Sequence, residues 1–112
     1  MFNFKDIPQL GNLLKEALQL KSKIDAIKEE LVNVIIEGEV GGGLVKAKMN
    51  GKFELLSIEI SDELLNKENF DKSLLEALIT SAVNVTAEKV RDKVKEKMKE
   101  AAGGIEIPGL FD

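Results

Sequence analysis

The chain has no cysteine, histidine, tryptophan or tyrosine, and Arg91 is its one arginine. Each absence removes a class of function. Without cysteine there is no disulfide framework, no thiolate nucleophile and no zinc–thiolate site, a composition that fits a reducing compartment. Without histidine, acid–base catalysis near neutral pH would fall to carboxylates or lysines whose pKa values an apolar pocket has to move. The aromatics are five phenylalanines, and none is interleaved with the lysines in the way a base-stacking platform for single strands requires. No apolar run approaches the ~20 residues of a membrane span. The opening residues Met1-Phe2-Asn3-Phe4-Lys5-Asp6 have no basic stretch leading into an apolar one, so no signal peptide is expected.

What is present describes one small globular domain over residues 1–112, with 44% hydrophobic and 32% charged residues. A chain of this length buries a modest core, and a partner subunit would add to its stability. The net charge is −4 and the isoelectric point is near 5.0. That balance runs against the basic character usual in nucleic-acid-binding domains, so any such contact has to come from local basic stripes on an acidic body.

The hydrophobic pattern divides the chain into three zones and predicts an α+β fold in the order α-β-β-β-α. From Pro8 to Leu31, apolar residues recur at Leu10, Leu13, Ala17, Leu20, Ile24, Ile27 and Leu31, the a and d positions of successive heptads. Leu14 and Leu18 widen this stripe. Such a seam packs either on the protein's own sheet or against a second copy. From Val32 to Ile60, alternating apolar residues predict three antiparallel strands. Gly41-Gly42-Gly43 separates the first two, Asn50-Gly51 forms a two-residue hairpin turn with positive φ at both positions, and Leu56, Ile58 and Ile60 share one face of the third. From Asp71 to Ala102 a long helix follows. Its first half is broadly apolar and suits packing on the sheet, and its second half narrows to Val90, Val94 and Met98, the stripe of a projecting arm or a partner contact. Gly103-Gly104 would end the helix, and residues 1–7 and 103–112 are expected to be loose tails.

No constellation supports catalysis. Ser57, Ser61, Ser73 and Ser81 have no base partner, and Glu37 and Glu39 alone are too few ligands for a metal. The Gly41-Gly42-Gly43 stretch lacks the Gly-Lys-Ser/Thr ending and following helix of a phosphate-binding loop. An enzyme, a cofactor, a metal and a small-molecule substrate are therefore not expected. The informative charges lie on the last helix. Lys89, Lys93 and Lys97 run along one flank of the Val90–Val94–Met98 stripe, and Arg91, Lys95 and Lys99 along the other. Glu88, Asp92, Glu96 and Glu100 run down the outer side. The bases are candidate duplex-DNA contacts, joined by Lys15, Lys21, Lys23 and Lys28 of the first helix. They equally suit a solvated helix with pairs at i, i+3 such as Glu88–Arg91, Asp92–Lys95 and Lys93–Glu96. With one arginine, DNA binding would rest on phosphates and be weakly sequence-selective. The candidate dimer contacts are Leu10, Leu13, Ala17, Leu20, Ile24, Ile27, Val90, Val94 and Met98. A different reading makes the chain an adaptor that binds a protein partner through these seams.

Several segments, in this order and spacing, resemble the YbaB/EbfC family. Leu10-Gly11-Asn12-Leu13-Leu14-Lys15 is similar to its opening helix, Gly42-Gly43-Leu44-Val45-Lys46 to its second strand, and Asn50-Gly51 falls at its hairpin. Ile58-Glu59-Ile60 with Leu64-Leu65, then Ala82-Val83-Asn84 with Ala87, then Lys97-Met98 complete the likeness from about Leu10 to Pro108. Ser61-Asp62 stands where the family usually has Asp-Pro. The resemblance implies a tweezer-like homodimer with helical arms on a central β body. It also implies a cytoplasmic, nucleoid-associated protein that binds DNA.

Overall fold

The computed structural model of the protein describes residues 10–101 and 103. The proposed tails at 1–7 and 103–112 and the helix start at Pro8 lie outside these residues, Gly103 apart. Helix α1 spans Leu10–Leu31, strands β1, β2 and β3 span Ile35–Val40, Val45–Asn50 and Leu55–Ile60, and helix α2 spans Lys72–Ala101. A short 3-10 turn at Asp62–Leu65 joins β3 to α2. The α-β-β-β-α order is the one the periodicity predicts.

The three strands form one antiparallel sheet in the order β1-β2-β3. Val45, Ala47 and Met49 of the central strand are buried, while Lys46 and Lys48 between them face away from α2. The outward lysines stand across from acids: Glu39 and Glu59 flank Lys46, and Glu37 pairs with Lys48 at 3.9 Å. The outer face of the sheet is a charge ladder of alternating sign.

Two local features differ from the sequence reading. The β2–β3 connection is a three-residue loop, Gly51-Lys52-Phe53, and the residue with positive φ is Phe53, at 64°. Phe53 N–H donates to Asn50 O at 3.1 Å, and Asn50 N–H donates to Glu54 O at 3.1 Å, the arrangement of a turn followed by a left-handed residue. The buried Asn50 side chain holds the loop: Oδ1 accepts from the Lys52 and Glu54 amides at 2.9 and 3.1 Å, and Nδ2 donates to Glu54 Oε1 at 2.8 Å. Gly51 is needed for close approach instead. Its N–H donates to Leu31 O at 2.8 Å, and a Cβ there would stand 2.7 Å from Leu31 Cβ and O. The hairpin therefore satisfies the last carbonyl of α1 and pins that helix to the sheet. Second, the register slips between Lys48 and Met49, so Lys48 pairs with Ser57 but Met49 pairs with Leu55. The slip sets Leu55 opposite the buried Met49 and leaves Leu56 without a partner on β2.

Helix α2 begins where Asp71 Oδ1 accepts from Leu74 N–H at 3.0 Å, an N-cap. It ends at Gly103, φ 68°, whose N–H donates to Glu100 O at 3.2 Å. Its buried residues Ala82, Thr86, Val90 and Met98 follow steps of four or eight. Each step of four turns the stripe by about 40°, so it rotates by roughly 160° from Ala82 to Met98. The early part faces the sheet, where Leu78, Ile79 and Ala82 pack with Val45 and Ala47. The late part faces α1, which packs against α2. α2 lies across β1 and β2 and barely reaches β3.

Candidate nucleic-acid interface

Burial along α1 is graded. Leu31 is buried, Ile27, Ile24 and Leu20 are half-buried, and Ala17, Leu14 and Leu13 are exposed, with Leu10 half-buried at the start. The gradient follows from geometry. Thr86 of α2 sits on Gly38 and Ala47. Gly51, beside Leu31, lies about 13 Å further along the hairpin and so near the level of Val90 to Val94. From Val90 to Ala101 α2 advances only about 17 Å, while α1 runs back from Leu31 over about 32 Å. α1 and the end of α2 thus form an antiparallel arm, and α1 overhangs its tip.

The seam residues divide accordingly. Val90 is fully buried and Met98 is 4% exposed within a single chain, and Val94 is half-buried. One copy already covers this stripe. Among the more accessible apolar side chains are Leu13, Leu14 and Leu18 on the overhang, Ile35 at the start of β1, and Leu55, Leu56, Leu65, Phe70 and Leu74 on the body, where α2 leaves β3 bare. The body set escaped the sequence reading. The adjacent pair Leu55-Leu56, which alternation cannot place on one face, is the signal that pointed to it.

The arm displays the candidate bases. Lys15, Lys21, Lys23 and Lys28 of α1 are exposed, as are Lys89, Arg91, Lys95 and Lys99 of α2, while Lys93 and Lys97 are half-buried. Of the expected ion pairs, Lys93–Glu96 forms at 3.7 Å, and among the described residues no ion pair joins Glu88 to Arg91. Lys89 Nζ donates to the Glu37 carbonyl at 3.4 Å, which draws the root of its flank toward the edge of the sheet. From Thr86 to Glu100 six bases stand against four acids, and the acids occupy the outer ridge between the two basic flanks. The arm thus carries two positive edges separated by a negative ridge rather than a uniformly basic face.

The described residues offer little for catalysis. A shallow hollow on α2 is lined by Glu76, Ala77, Thr80, Ser81, Asn84, Val85 and Glu88, but its two carboxylates are three turns, about 18 Å, apart. No group of three or more metal-ligating side chains comes together among the described residues. No described helix is long and apolar enough to cross a membrane.

Comparison with known proteins places this architecture. Residues 6–105 match the YbaB/EbfC DNA-binding family. A nucleoid-associated protein of Thermoanaerobacter sp. strain X514 is 39% identical over 102 residues, covering 91% of this chain and 90% of that one. A nucleoid-associated protein of Anaeromyxobacter dehalogenans strain 2CP-1 is 42% identical over 98 residues, covering 88% and 93%. The crystal structure of an uncharacterized protein from Helicobacter pylori superposes with a TM-score of 0.59 at 28% identity, over 75% of this chain and 92% of that one. With the helix–sheet–helix order, the motif spacing and the matched length in agreement, the chain belongs to the YbaB/EbfC DNA-binding family.

Proposed function

We propose that this protein is a nucleoid-associated protein that binds duplex DNA as a homodimer, without catalysis, through phosphate contacts along the α1–α2 arm. The observation that carries this reading is the pair of basic flanks on α2, with exposed Arg91, Lys95 and Lys99 on one and Lys89 with half-buried Lys93 and Lys97 on the other. Lys15, Lys21, Lys23 and Lys28 add bases on the neighbouring helix. Sequence preference is weak, because one arginine and no interleaved aromatic leave little to read base edges. The relatives named nucleoid-associated proteins match along nearly their whole length, which supports the same role and a place in the nucleoid of the cytoplasm.

The second copy covers the apolar surface that one chain leaves open. Leu55 and Leu56 on β3, 47% and 50% exposed, lie on the strand α2 does not reach, and their burial at a two-fold contact would fix two arms in a set relation. Leu10, Leu13, Ala17, Leu20, Ile24 and Ile27 contribute where the arms approach, and Val90, Val94 and Met98 support them from beneath.

The test is binding to random-sequence duplex across a salt series. Log affinity should fall linearly with log salt, by about 0.9 for each phosphate neutralised. Lys95→Glu with Lys99→Glu should weaken binding to all duplexes alike. Affinity that ignores salt, or a double variant that binds as before, removes these flanks as the contact. A stoichiometric protein partner with no duplex shift at low salt would favour the adaptor reading.

A further inference from the structure

The geometry points to the major groove of duplex DNA as the seat of the outer face of α2, an inference that rests on the DNA-binding reading and deepens it. The observation is the angle between the two basic flanks. At about 100° per residue, positions two apart stand roughly 160° from each other around a helix. Lys89 and Arg91, Lys93 and Lys95, and Lys97 and Lys99 are such pairs, so the flanks point to nearly opposite sides of α2. A single phosphate strand meets one flank and leaves the other turned away. A groove has a phosphate wall on each side, and a helix lying in it meets both.

Width selects the groove. An α-helix with its side chains is about 10–12 Å across, and the major groove is about 12 Å wide against about 6 Å for the minor. The outer side of α2 is the side that can enter. Glu88, Asp92, Glu96 and Glu100 along it are exposed, whereas the side that carries Val90 and Met98 is buried, with α1 packed behind it. Lys89 Nζ leans on the Glu37 carbonyl at 3.4 Å, so the pairs that bracket a groove are those nearer the arm tip, Lys93 with Lys95 and Lys97 with Lys99. The ion pair of Lys93 with Glu96 joins side chains 43% and 58% exposed, and a pair so exposed is weak enough to give way to a phosphate.

The acids then face the groove floor, midway between the walls. A carboxylate accepts hydrogen bonds and donates none. In the major groove every base pair offers an amino donor, on cytosine N4 or adenine N6, whereas in the minor groove only guanine N2 does so. The acids recur every four residues, about 6 Å along the helix, close to two base-pair steps of about 3.4 Å. A ridge of acceptors at this spacing finds donors in any sequence, so docking in the groove and weak sequence preference agree.

The test is binding of the full chain to one duplex in two forms, unmodified and with every cytosine carrying a glucosylated 5-hydroxymethyl group. The sugar fills the major groove and leaves the phosphate charge unchanged. Affinity for the glucosylated form should be at least tenfold lower, while netropsin, which fills the minor groove of an adenine–thymine-rich duplex, should change affinity less than threefold. Equal, salt-dependent affinity for the two forms, or displacement by netropsin, overturns docking in the major groove and leaves the phosphate contacts standing. No binding to either form at low salt overturns both readings. Two variants test the flanks separately. Lys93→Gln with Lys97→Gln, and Lys95→Gln with Lys99→Gln, should each lower the slope of log affinity against log salt by about 1.8 per engaged arm. A slope that falls for one pair alone means that one flank faces the duplex, and it overturns the inference.

Discussion

The backbone of Thr86 lies so close to Gly38 that a Cβ on the glycine would stand 3.0 Å from the Thr86 Cα and overlap its hydroxyl. That hydroxyl donates to the Ala82 carbonyl at 2.6 Å and reaches the Ala47 carbonyl at 3.5 Å. The contact sets the height of α2 above β1 and β2, and with it the line along which the arm leaves the body.

Gly38→Ala should therefore destabilise the protein. Overpacking against a helix backbone typically costs about 1–3 kcal/mol, read as a lower urea midpoint with an unchanged slope. Gly11→Ala, on α1 with nothing within 4 Å of the added methyl, should gain about 0.5–1 kcal/mol. Equal effects at the two glycines would contradict the close approach.

The loop between β2 and β3 makes a paired prediction. Gly51→Ala should cost about 1–3 kcal/mol, because the methyl meets Leu31 Cβ and O at 2.7 Å, and it should increase amide exchange at the last turn of α1. Phe53→Asn should raise stability by up to about 1 kcal/mol, because φ of 64° suits asparagine better than phenylalanine. A loss at Phe53 would mean that its ring packs for more than the backbone conformation costs.

Apolar residues on the arm and on the body should respond differently to charge. Val90→Asp should unfold the chain, since Val90 is fully buried within one copy and an unpaired buried charge is costly. Leu55→Asp with Leu56→Asp should leave the far-ultraviolet circular dichroism intact and convert the proposed dimer to a 12.3 kDa species in sedimentation. A wild-type chain that sediments as a monomer would refute the two-copy reading outright.

Neutral substitutions test the phosphate contacts apart from repulsion. Arg91→Gln with Lys21→Gln should lower the slope of log affinity against log salt by about two if both touch phosphate, and should do so alike on every sequence. A slope that stays constant would place the contact elsewhere on the arm.

Much of the fold was legible because hydrophobic periodicity is local. The heptad stripe of α1, the alternation of Val45, Ala47 and Met49, and the four-residue steps of α2 each appear where the sequence placed them. The boundaries moved where local bonds compete. β1 starts at Ile35 rather than Val32 because Asn33 and Val34 donate back to the Glu30 and Leu31 carbonyls at 2.9 and 3.2 Å. β3 starts at Leu55 because Gly51, Lys52 and Phe53 make the turn. The register slip that sets Leu55 opposite Met49 has no counterpart in the alternation pattern. The lysine stripes were legible as positions on a helix, but the tie of Lys89 to the Glu37 carbonyl needs the sheet in place.

Residue periodicity sets the order of elements and the face each buries, since both depend on which residues recur every two or every three to four positions. Composition excludes thiol and imidazole chemistry. What those faces meet depends on how the elements pack. The sheet covers the first half of the α2 stripe and α1 covers the second, because the stripe rotates as it advances. Glycine at 38 and at 51 is explained by a neighbour rather than by a turn, because close approach is a property of two segments far apart in the chain. For the same reason β3 and the tip of α1 remain uncovered: the lengths of the helices were readable, but where they cross was not.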